Sequence, residues 1–129
     1  MLAGAIAGLS LFVAVSVNQS ALAPSGSGPS EATMSLAQKN AAMRPLVSSA
    51  TDCIVKRVSD DPRFQDALAG GTVGDLIVDS MASCVKSVRA MIDAHDRFFG
   101  EGSGEAFFMG PYLDVLPKAV IKNAKHSGE

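Results

Sequence analysis

The chain has no tryptophan, one tyrosine, two cysteines and two histidines in 129 residues. Each scarcity removes a class of chemistry. Two histidines without zinc-type spacing give no zinc centre. Two cysteines far apart in sequence give neither a Cys-x-x-Cys redox pair nor, lacking Cys-x-x-Cys-His, a haem attachment site. No Gly-x-Ser-x-Gly elbow marks a nucleophile. No convincing run of alternating apolar and polar residues marks a strand, and the richest candidate, Ala106-Phe107-Phe108-Met109, is four residues long. Positive charge is also short. A net charge of −2 argues against nucleic acid, which requires a concentrated basic face, and against electrostatic docking on anionic lipid. The chain is therefore expected to be all-α, without a cofactor, and not an enzyme.

Charge is wholly missing from residues 1–23. An apolar run over 2–17 gives way to Asn18-Gln19-Ser20 and then Ala21-Leu22-Ala23. This is the outline of a secretory signal peptide, with small residues at the −3 and −1 positions. Met1-Leu2-Ala3-Gly4 lacks the usual Lys or Arg, and Pro24 directly after the site is a poor fit to a signal peptidase. An uncleaved segment would be an N-terminal anchor, the one route to a membrane association. The run is shorter than the roughly 20 residues a spanning helix needs. The expected location is periplasmic or secreted. In an oxidising compartment Cys53 and Cys84 are expected to form a disulfide.

Beyond the signal, Pro24-Ser25-Gly26-Ser27-Gly28-Pro29 reads as a flexible linker, and residues 30–124 as one helical domain. Ser30 is expected to cap a helix over 30–44, with Pro45 as a kink or the first residue of the next helix, 45–59. There Leu46, Val47, Ala50, Cys53, Ile54 and Val58 draw one stripe. Asp61-Pro62 opens a short helix over 62–69, which Gly70-Gly71 ends. A long central helix follows over about 72–99, with Thr72 and Asp75 as a variant capping box. Its seam is Ile77, Met81, Cys84, Val88, Met91 and His95, spaced alternately four and three as for a near-antiparallel partner. Residues 100–104 read as a flexible turn and Gly110-Pro111 as a break. Two short helices, or one kinked at Pro117, then reach 124, and residues 125–129 are expected to fray. The expected architecture is a small disulfide-stapled bundle of four to six helices.

Two clusters invite a functional reading. Asp93-Ala94-His95-Asp96, with Glu101 and Glu105 nearby, offers His95 and Asp96 as weak metal ligands. Asp93 and Arg97, four apart, suit a surface ion pair instead, and His95 on the seam suits a half-buried structural histidine. Phe98, Phe99, Phe107, Phe108 and Tyr112 are the candidate binding residues, interleaved with Gly100, Gly102, Gly104 and Gly110. They either fasten the C-terminal segment onto the long helix or line a site. The Gly-x-Gly series at 100–104 is no phosphate cradle, because it follows a helix, carries Glu101 and lacks a lysine. The expectation is a binding or structural module with a protein partner in the cell envelope. The alternative is a periplasmic small-molecule or metal carrier using residues 93–112.

Overall fold

Residues 33–128 are described in the computed structural model, and the expected signal peptide 1–23 and linker 24–29 lie outside the described residues. The first helix begins where a serine can cap it. Ser35 Oγ accepts the Gln38 amide at 3.2 Å, and Gln38 Oε1 accepts the Ser35 amide at 2.8 Å. This reciprocal capping box satisfies two amide groups that would otherwise lack partners. Ser30, the expected cap, lies outside the described residues. Helix α1 then runs over Leu36–Ser59 as one element, through Pro45. The expected division at Pro45 does not occur. Proline withholds a donor from the Ala41 carbonyl. Ala41 and Pro45 are both exposed, so water can take the donor's place.

Helix α2 spans Phe64–Gly70 and starts two residues later than expected. The expected Asp61 cap is displaced: Arg63 holds the N-cap position without a side-chain cap bond, and the Asp61 carboxylate accepts the Arg63 amide at 2.8 Å in a local turn before the helix. The Arg63 guanidinium bridges Asp61 and Asp79 at 2.9 and 3.0 Å. These pairs are open to solvent and contribute little to stability. Gly71, at φ 73°, closes the helix in the left-handed conformation glycine allows.

Helix α3, Val73–Phe99, is the spine. At about 1.5 Å per residue it is about 40 Å long. The capping box expected from Thr72 is not made: the side chain forms no cap bond. Thr72 sits at φ −104°, ψ 21°, away from the extended conformation that aims an N-cap oxygen at the first turn. The seam is as expected at Ile77, Cys84, Val88 and Met91, which are buried, while Met81 and His95 are half-buried. Leu76, Ser80 and Ala94 are buried beside it. The stripe is wider than a two-helix seam because α3 packs on α1, α2 and both C-terminal helices.

Cys53 on α1 and Cys84 on α3 are disulfide-bonded, with Cα atoms 5.9 Å apart. That lies within the ordinary range of about 4.4–6.8 Å. Ile54, Val58, Cys84 and Met91 fill the α1–α3 interface and are almost wholly buried.

The C-terminal third departs most from expectation. Gly100 and Gly102 do turn the chain, at φ 111° and 83°. Helix α4, Ser103–Phe107, starts at once, and a π-helical turn, Phe108–Tyr112, joins it to helix α5, Leu113–Ser127. The expected break at Gly110-Pro111 is this π turn, in which the Leu113 amide reaches back to the Phe108 carbonyl. A five-residue step accommodates a proline that cannot serve the usual four-residue bond. Helix α5 continues through Pro117 and through residues 125–127, which were expected to fray. Its buried Leu116 and Val120 close the core from the side of α1 and α3.

Candidate functional site

The aromatic residues meet where α3 turns into α4, and the turn is held by short side-chain bonds to the backbone and by a close backbone approach at Gly104. The Gly104 amide donates to Asp96 Oδ1 at 2.6 Å. Ser103 Oγ lies 2.8 Å from His95 Nδ1 and donates to the His95 carbonyl at 3.2 Å. Asp96 thus supplies an acceptor to the first turn of α4, where exposed amides favour negative charge. Gly104 is buried, and a Cβ there would fall on the Ile92 carbonyl oxygen and stand 2.9 Å from Asp96 Oδ1. Glycine is needed here for close approach. Gly104→Ala is therefore expected to cost about 1–3 kcal/mol, measured by urea denaturation. A loss below about 0.5 kcal/mol, the scale of neutral surface changes, would show that the contact is dispensable.

This corner stacks three rings. His95 lies over Phe107, with centroids 4.7 Å apart and planes 15° apart, and against Phe99 at 4.6 Å. Lys39 Nζ sits 5.8 Å from the Phe99 centroid, within reach of a cation–π attraction. Burial holds the His95 imidazole below its ordinary pKa, against the upward pull of Asp96. A neutral ring stacks on Phe107 without bringing a charge into an apolar corner.

Below this corner the π turn arranges the other aromatics. Residues four and five apart both become neighbours in such a turn. Tyr112 accordingly meets Phe108 at 5.8 Å and Phe107 at 5.9 Å. Its ring is buried and its hydroxyl lies 3.1 Å from Thr51 Oγ1 on α1. Thr51 gives its own proton to the Val47 carbonyl at 2.7 Å, so the tyrosine is the donor. Burial raises the Tyr112 pKa.

A cleft of about 550 Å³ opens between α1 and this corner. One wall is His95, Phe99 and Phe107. The other is a stripe of α1, where Met43 and Val47 are flanked by Asn40, Arg44 and Ser48. The volume suits a small-molecule site, and the combination of apolar walls with a few polar groups is the usual one. Of the five aromatic candidates, Phe99 and Phe107 line the cleft. Phe108 and Tyr112 brace it from beneath, and Phe98 packs half-buried against the core. The α1 wall was not expected, although residues 40, 43, 44, 47 and 48 have the spacing of one helical face.

His95 and Asp96 are engaged by Ser103 and Gly104. Among the described residues no three His, Cys, Asp or Glu side chains cluster to hold a metal ion. Among the same residues no helix is long and apolar enough to cross a membrane. Compared with known proteins, the chain matches no family model, no curated protein and no solved structure.

Proposed function

We propose that this is an exported helical binding protein that holds a small, largely apolar molecule in the cleft between α1 and the α3–α4 corner. The observation that carries the reading is the cleft itself, with Phe99, Phe107 and His95 facing Met43 and Val47 across about 550 Å³. Export to a periplasmic or extracellular space is supported by the uncharged apolar segment 1–23 and by the Cys53–Cys84 bond. A carrier of this kind needs no catalytic group.

Titration with N-phenyl-naphthylamine, a neutral apolar fluorophore, tests the site. A saturable rise in fluorescence with one-to-one stoichiometry is expected. Val47→Trp, which fills the cleft from the α1 side, should abolish it with little change in melting temperature. No rise, or a rise that Val47→Trp leaves intact, would refute the assignment.

A protein partner in the cell envelope is the second reading. Val78 and Val85, seven apart on α3, are 68% and 51% exposed and lie on one outward face. Such a stripe suits a partner helix. Cross-linking in envelope extracts, abolished by Val78→Lys with Val85→Lys, separates it from the cleft reading.

A further inference from the structure

Among the described residues, the charged side chain lining the cleft is a cation, Arg44, and a second cation, Lys39, stands beside it. Arg44 is exposed on the α1 wall and makes no ion pair with any described residue. Lys39, one helical turn before Met43, places its ammonium over the Phe99 ring. Among the described residues no aspartate or glutamate lines the cleft, and the neighbouring Asp96 is turned to the Gly104 amide. The chain as a whole carries more acid than base, 13 residues against 11, so this edge runs against the overall charge.

We propose that the ligand is an anionic amphiphile, a carboxylate on an unbranched aliphatic body of the fatty-acid class. This rests on the cleft being a binding site and names what fills it. The aliphatic body lies between Met43 and Val47 on one side and Phe99 and Phe107 on the other. There it loses water from both faces, which is the main source of affinity for an apolar chain. The carboxylate stays at the mouth with Arg44. Guanidinium is the cation that matches a carboxylate in a two-point, planar arrangement, and no acid among the described residues pairs with Arg44 to compete for it. A cation of the same shape would meet Arg44 and Lys39 without compensation. A neutral alcohol would leave the guanidinium to solvent and gain only the apolar part.

The experiment is displacement of bound N-phenyl-naphthylamine by decanoate, decanol and decylamine, each below its aggregation concentration, on the full folded protein. Decanoate is expected to displace the probe about tenfold more tightly than decanol, the scale of one charge-assisted hydrogen bond. Decylamine should be the weakest. In Arg44→Gln the preference of decanoate over decanol should shrink to about twofold or less, while decanol affinity is unchanged. Arg44 is exposed, so this variant is expected to fold normally. Equal affinity of decanoate and decanol for the unaltered protein would overturn the anionic assignment and leave the cleft reading standing. A preference that survives Arg44→Gln would overturn the role of Arg44. If neither the probe nor any competitor binds, the cleft reading falls and this inference with it.

Discussion

Reduction of the Cys53–Cys84 bond is expected to lower the melting temperature by more than about 10 °C. The two cysteines are 31 residues apart in sequence, and closing a loop of that length restrains the unfolded chain by about 3–4 kcal/mol. A domain of this size has a total stability of about 5–15 kcal/mol, so the bond is a large part of it. The restraint is also well placed. It joins the C-terminal third of α1 to the middle of α3, beside the buried Ile54, Val58 and Met91. Circular dichroism melts with and without reductant measure the effect, and a Cys53→Ser, Cys84→Ser double variant should reproduce it. A fall of less than about 3 °C in both would mean that helix packing alone supports the fold.

Tyr112→Ala is expected to be the most damaging single change among the aromatic residues, at about 3–5 kcal/mol. The ring is 3% exposed and touches Phe107 and Phe108, and its removal leaves a cavity under the cleft wall. Tyr112→Phe should cost only about 1 kcal/mol, because Thr51 keeps its own bond to Val47. The gap between the two variants in urea denaturation separates packing from hydrogen bonding. If the two cost the same, the ring is not the anchor inferred here. The chain has one tyrosine and no tryptophan, so its phenolate can be followed by absorbance alone. Burial raises the folded pKa above the ordinary value of 10.0. The unfolded chain therefore loses this proton first. The stability contributed by the neutral phenol is fully present below pH 10.0 and is lost as pH rises through the folded pKa.

Much of the frame was legible because it depends on periodicity. The stripe through Ala50, Ile54 and Val58 and the seam through Ile77, Cys84, Val88 and Met91 predict two helices whose cysteines face each other. The helix ends were less legible. Pro45 reads as a stop, yet one missing donor at an exposed turn is a small loss against a helix packed along its length. Thr72 and Asp75 have the spacing of a cap without the backbone angles that make one. Pro111 reads as a break because a π turn leaves no mark in composition. The site was half legible. Clustering drew attention to Phe99, Phe107 and His95, which belong to one corner. Asn40, Arg44 and Ser48 face them only because α1 lies alongside α3, and no local pattern records which polar stripe another helix will meet. The bond between Asp96 and Gly104 was hidden for the same reason: it depends on how far the chain turns at Gly100 and Gly102.

The contact of Gly104 with the Ile92 carbonyl separates two kinds of residue that are usually entangled. Helix α4 is positioned by the approach of Gly104 to the Ile92 main chain and by the bonds of Asp96 and Ser103, so the direction in which Phe107 projects does not depend on the size of Phe107. The side chains that shape the cleft can then vary while their mounting stays fixed. A library randomised at the half-buried Val47 and Phe107, with the buried Met43 and with Gly104 and Asp96 kept, should yield mostly folded proteins with differing ligand preferences. The same diversity applied at Gly104 should yield few. Such a scaffold can change its cargo by small steps, each of which leaves the protein intact.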